Sequence, residues 1–187
     1  AMDLAERWRL PVLTLIDTPG AEPGPSAEAG GVAGEIARLL LAMAGMTVPT
    51  VALCVGEGGS GGAMALAHAD RFFLLEGSVF SVIGPEAGAA VLYRDASRAP
   101  ELARSFRLTA DELARLGVVD AVLPDGDVQA VRAAVVAALS SARAGDRDTR
   151  ADQLARGFLS AAPDDSPPVI APDGWQATQH NAKGMVG

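Results

Sequence analysis

The sequence predicts an α/β chain built on a mostly parallel sheet, and three observations carry that prediction. The runs "PVLTLID" and "TVALCV" are short, apolar and rich in Val, Leu and Ile, which is how strands covered on both faces read. Each leads through glycine or proline into a segment with helical spacing, and this strand, loop, helix order recurs along the chain. The composition, 49% hydrophobic with only 4% aromatic, suits close-packed helices on buried strands and not a disordered chain. At 187 residues the chain is one domain, or a large part of one, and long enough to bury a core.

The elements follow in order. "DLAERWR" is a short helix and "PVLTLID" a strand ending at Asp17, followed by the rigid glycine- and proline-rich loop "TPGAEPGPS". Ser26 is placed to cap a long helix from Ala27 to Met46, with Ile36, Leu39, Leu40 and Met43 on one face. "TVALCV" is the next strand, then a glycine turn, then the helix "GAMALAHA". "RFFLLEG" and "SVFSVI" read as two short strands, and "GPEAGAAVLYRD" as turn residues opening a helix. In "LTADELARLGVVDAVLP", Thr109 and Glu112 make a capping box, Gly117 stops the helix and a strand follows. "DVQAVRAAVVAALSSARAG" is a helix and "DTRADQLARGFLSA" another, so residues 146–162 are expected as a C-terminal helix. From Pro163 prolines replace periodicity, and 163–187 reads as a tail or an arm lying on a partner.

Charge and rare residues narrow the function. Fifteen Lys+Arg against 23 Asp+Glu give −8, Lys183 is the only lysine, and no basic run exists. Nucleic acid and anionic membranes are therefore not expected as partners. The single Cys54 excludes an internal disulfide and a cysteine zinc cluster, reads as a core thiol, and fits a reducing cytosol. His68, on a helix face, and His180, in the tail, are too far apart in sequence to suggest a metal site. The uncharged window from Leu39 to Gly56 has the length of a membrane span. Gly45, Thr47 and Pro49 punctuate it, so it reads as a helix end and a buried strand. "AMDLAERWRL" is amphipathic and charged, unlike a signal peptide. A soluble, cytoplasmic protein is expected.

The stretch "VALCVGEGGSGGAMALAHAD" packs Gly56, Gly58, Gly59, Gly61 and Gly62 into seven positions. Gly56, Gly58 and Gly61 satisfy G-x-G-x-x-G, and Glu76 lies where a ribose-binding acid would sit. Against a dinucleotide site, a strand, a loop and a long helix already precede the motif. "DTPG" resembles the magnesium segment of GTPases, but no G-x-x-x-x-G-K-[ST] accompanies it. The third reading is an oxyanion hole. A strand turning through glycines into a helix presents unpaired N–H groups backed by the helix dipole. Two of them converging on one oxygen stabilise developing negative charge without a side chain. Gly61, Gly62 and Ala63 are where such donors should lie. Spacing alone leaves open the alternative that the glycines only let helix and strand pack closely.

"LPVLTLIDTPGAEPGPSAEAGG", "VALCVGEGGSGGAMALAHAD", "SVIGPEAGAAVLYRD" and "LTADELARLGVVDAVLP" resemble the α carboxyltransferase subunit of bacterial acetyl-CoA carboxylase, over roughly Leu4 to Pro124. The resemblance implies a crotonase-like fold, a spiral of ββα units, over residues 1–145. It implies transfer of a carboxyl group from carboxybiotin, held on a biotin carboxyl carrier protein, to an acyl-CoA such as acetyl-CoA. Carried over by position, Gly61, Gly62 and Ala63 would hold the biotin ureido oxygen through their N–H groups. Gly20, Ala21, Gly58, Gly59, Gly84 and Pro85 would line the biotin side of the cleft. The enolate's oxyanion hole and most CoA contacts would come from a β-type carboxyltransferase subunit or the other half, so an oligomer is expected and no metal in this chain.

Two departures stand out. The family pattern "SPEG" is "GPEA" here, Gly84 to Ala87. The chain also begins where the middle of a crotonase domain would be, so the strands that open the spiral are expected to be missing or supplied by a partner, which would otherwise leave an open sheet edge. A partner-binding scaffold without catalysis, and a CoA decarboxylase or hydratase, are the alternatives. Glu57 and Glu86, candidate acids for the latter, read as structural, and Arg94, Arg98 and Arg104, candidates to meet CoA phosphates, as a solvated helix face.

Overall fold

The computed structural model describes residues 1–21 and 24–160, without the side chains of 158–160. The proline-rich segment 163–187, with His180 and Lys183, lies outside the described residues. Strands β1 (Val12–Thr18), β2 (Thr50–Gly59), β3 (Arg71–Leu75) and β5 (Ala121–Leu123) lie side by side in the order β1-β2-β3-β5, all parallel. Strand β4 (Val79–Ser81) pairs with β2, along its last residues, beyond β3. Helical connections make parallel pairing possible, because parallel neighbours need a long crossover.

Alternation along the strands divides the core into two layers. Ala52, Cys54, Phe72 and Leu74 point to one face with Ile16, Met43, Ala63 and Ala67, where helices α3 (Val32–Ala44) and α4 (Ser60–Ala67) pack. Val51, Leu53, Phe73 and Leu123 point to the other, against Val135 and Ala138 of α8 (Val128–Ser141). Thus β2 is covered on both faces, as expected of both "TVALCV" and "PVLTLID", and so is β3. Strand β1 is not: Leu13 and Leu15, on the α8 side, are 41% and 61% exposed. Among the described strands β1 is an edge.

The structure corrects several sequence expectations. The long helix over 27–46 is two helices, α2 (Pro25–Ala29) and α3, broken at Gly30 and Gly31, the latter at φ 76°. Gly24 is the N-cap of α2 and Pro25 opens it, so Ser26 is no cap. The strand expected to end at Val55 continues to Gly59, and the following helix begins at Ser60. After α5 (Pro85–Tyr93) come a 3-10 turn (Ala96–Arg98) and α6 (Ala99–Phe106), so Arg94, Arg98 and Arg104, expected on one helix face, are divided between the end of α5, the 3-10 turn and α6. Thr109 does sit at the N-cap of α7 (Ala110–Arg115), but its hydroxyl donates to the Glu112 carboxylate at 2.9 Å instead of accepting from the backbone. The remaining helices, α1 (Met2–Trp8) and α9 (Asp146–Ser160), fall where periodicity predicts them.

Helix α9 is tied to the sheet by charge. Arg147, 3% exposed, donates at 2.9 Å to Asp70, which is fully buried. Arg147 also bonds Thr50 Oγ1 and the Met46 carbonyl. Asp70 in turn accepts from the Thr50 N–H and hydroxyl and from the Gly145 N–H. One turn on, Arg150 bonds Asp120 and the Ala69 carbonyl, each at 2.6 Å.

Candidate functional site

The site grows from the carboxyl ends of β1 and β2. Their pairing runs one to one from Val12 opposite Thr50 to Ile16 opposite Cys54, and then slips so that Thr18 faces Gly58. Strand β2 therefore carries two extra residues in a bulge, a feature common beside active sites. Beyond the bulge Gly58 and Gly59 pair with Phe80 and Ser81 of β4, and α4 begins at once with Ser60 at φ 59°.

A Cβ placed on each glycine separates packing from open space. At Gly56 it would lie 2.5 Å from Asp17 Oδ1, at Gly58 2.2 Å from the Phe80 ring and at Gly59 2.1 Å from the Pro19 carbonyl oxygen. At Gly61 it would lie 3.1 Å from Ile36. At Gly62 it would meet no atom within 4 Å. Close packing thus explains Gly56, Gly58 and Gly59, and in part Gly61. It does not explain Gly62, which presents bare backbone in the first turn of α4, where N–H groups lack i−4 partners.

The "DTPGA" loop sits directly on this turn. Gly20, at φ 122°, would bring a Cβ within 3.1 Å of Ser60 Cβ, and its N–H lies 3.3 Å from Thr18 Oγ1. Ala21 follows it. Gly84 is the extended N-cap of α5 and Pro85 its first residue. They come three and four residues after Ser81, which faces Gly59, so the "GPEA" segment leaves from the same end of β2. Gly58 and Gly59, expected on the binding surface, are instead buried beneath Phe80 and Pro19. Ala63 is fully buried, with its side chain in the core. Sequence reasoning missed Asp17 and Pro19 as residues that shape the turn, although "IDTPGA" was singled out as a motif.

The other candidates are placed as follows. Cys54 is buried in the sheet core, where burial pushes its thiol pKa up. His68, half-buried at the end of α4, is held below the ordinary imidazole range first by burial and then by Arg147. Glu57 and Glu86 are exposed. Arg98 stacks 3.8 Å over Tyr93 and pairs with Glu101 at 2.9 Å, while Arg94 and Arg104 are exposed. No helix among the described residues is long and apolar enough to cross a membrane. The Leu39–Gly56 window divides between α3 and β2.

A parallel sheet whose central strand bends through glycines into a short helix, under a second glycine-rich loop, defines a crotonase-type α/β domain. Residues 1–158 match the family described as acetyl co-enzyme A carboxylase carboxyltransferase-like, and the chain belongs to that family. It is 54% identical over 146 residues to the acetyl-coenzyme A carboxylase carboxyl transferase subunits beta/alpha of Salinispora arenicola, covering 73% of this chain and 26% of that protein. It is 46% identical over 168 residues to the subunit alpha of a Methylobacterium species, covering 84% of this chain and 53% of that one. The chain thus spans about half, or a quarter, of the length of these relatives. Among solved structures, transcarboxylase 12S with hydrolysed methylmalonyl-coenzyme A bound matches at a TM-score of 0.65 and 25% identity, over 76% of this chain and 28% of that one. The G-x-G-x-x-G pattern is accordingly no dinucleotide fingerprint; Gly56 and Gly58 are required by Asp17 and Phe80.

Proposed function

We propose that this chain supplies the biotin-side half of a carboxyltransferase site that moves a carboxyl group from carboxybiotin to an acyl-CoA, acetyl-CoA or a close analogue. The observation that carries the reading is the bare backbone at Gly62, in a turn whose other glycines are wholly or partly accounted for by packing. Family membership supports it independently. Carboxybiotin, brought by a carrier protein, would supply the transferable carboxyl group.

This chain's own contribution is electrostatic and steric. With Gly59 as N-cap, Ala63 begins the i−4 bonding of the helix, so the N–H groups of Gly61 and Gly62 are the ones that would donate to a carbonyl oxygen gaining negative charge as the carboxyl group leaves. They stand at the positive end of α4, so little reorganisation accompanies the reaction. Without a side chain on Gly62 a flat ring can approach the backbone directly. Gly20 and Ala21 close one side of the approach, and Gly84 and Pro85 the other. The bicyclic ring of biotin is neutral and compact, which suits a site built from backbone N–H donors. The CoA and its enolate oxygen are held by a β-type subunit, or by the β portion in fused relatives. The active form is an oligomer.

The test is loss of CO₂ from malonyl-CoA and methylmalonyl-CoA by the chain purified with its β-type partner, with and without free biotin. Turnover that requires biotin is expected, because it is carboxyl transfer run backwards. Turnover without biotin would mean a decarboxylase. No turnover from a folded complex would mean a partner-binding scaffold.

A further inference from the structure

We propose that Asp17 is a positioning residue of this site, which holds the bulge of β2 and thereby sets the gap between the Pro19–Gly20 loop and the start of α4. The inference rests on the proposed function for its kinetic consequence, but not for its structural one.

Three observations converge on this side chain. First, the slip in register falls at Asp17, between Ile16 opposite Cys54 and Thr18 opposite Gly58. A bulge leaves unpaired backbone groups, and the Glu57 N–H within it donates to Asp17 Oδ1 at 3.1 Å. The carboxylate thus takes the place of a missing ladder partner. Second, Gly56 leaves room for that carboxylate and no more, since a Cβ there would lie 2.5 Å from Oδ1 and 3.0 Å from Cγ. Third, the two residues after Thr18 are Pro19 and Gly20, whose backbone presses on Gly59 and Ser60. A side chain that fixes β1 against the bulge therefore fixes both walls of the glycine turn. Asp17 is exposed and outside the buried core clusters, so its place at this junction is not explained by burial.

The bond needs an acceptor oxygen at Oδ1, not a charge. Asparagine keeps that oxygen and alanine removes it, so the two variants separate positioning from acid–base chemistry. The complex with the β-type partner is assayed for biotin-dependent malonyl-CoA decarboxylation, and amide hydrogen exchange is followed in the same samples. For Asp17→Ala we expect kcat to fall on the order of 100-fold, the effect of a displaced reacting group. The KM for biotin should rise and that for malonyl-CoA should stay the same. Exchange from Glu57 to Gly62 should accelerate about fivefold or more, the worth of one hydrogen bond of ordinary strength, with α8 unchanged. Asp17→Asn should remain within about threefold of the parent in both measurements, keeping one hydrogen bond of ordinary strength. The proposal is overturned if Asp17→Ala leaves exchange at the turn unaltered, or if Asp17→Asn is as impaired as Asp17→Ala. A parent complex without biotin-dependent turnover would count against the proposed function alone, and the exchange data would still decide the role of Asp17.

Discussion

Substituting alanine for Gly59 should destabilise the domain by about 3 kcal/mol or more, at the upper end of the usual cost of overpacking. The new methyl group would lie 2.1 Å from the Pro19 carbonyl oxygen, 2.4 Å from its carbon and 2.9 Å from the Gly20 nitrogen. All three are backbone atoms, so no rotamer change relieves the clash. The strand cannot retreat either, because Gly59 is paired with Ser81 of β4. The Pro19–Gly20 loop must lift, and the site opens with it. Urea denaturation followed by circular dichroism measures the loss. A cost under about 1 kcal/mol, the ordinary scale for a tolerated substitution, would mean that the two loops are not in contact. Gly61 provides the internal comparison, since the nearest atom, at 3.1 Å, is a side-chain methyl of Ile36 that need give by only a few tenths of an ångström.

The second large effect is expected at Arg147. Replacing it with methionine keeps much of the volume but leaves Asp70 buried among Thr50 and the Gly145 N–H without a countercharge. Breaking a buried pair from one side costs about 3–5 kcal/mol. Because Arg147 also bonds the Met46 carbonyl and Thr50, helix α9 should detach before the sheet unfolds. Hydrogen exchange should then show α9 opening while β2 and β3 stay protected. A variant of parental stability would mean that the pair is replaced by water or by another contact.

Much of this fold was legible because its strands are apolar runs and its helices periodic. What was not legible depended on partners distant in sequence. Residues 56–59 read as a turn because glycine has no strand preference, yet they pair with Thr18 and with β4. The break at Gly30 and Gly31 was hidden by apolar residues that keep their spacing beyond it. Helix α6 did carry signals: Asp95 caps the turn before it, Pro100 stands in its first turn, and Leu102 and Phe106 are four apart. Its arginines drew the reading toward a solvated surface. At the candidate site the glycine cluster was plain, but not which glycine is bare. That distinction is made by Asp17, Pro19 and Phe80, which reach the cluster from other strands and loops.

The central claim is that Gly62 is bare because something must approach it, and Gly62→Ala tests it most directly. Alanine there meets no protein atom and favours the helix, so stability should hold or rise by about 0.5 kcal/mol. Biotin-dependent decarboxylation by the complex with the β-type partner should nevertheless fall at least about tenfold, as a methyl group displaces the ring from its donors. A more stable variant with parental activity would contradict the account and leave the glycine turn as a packing device.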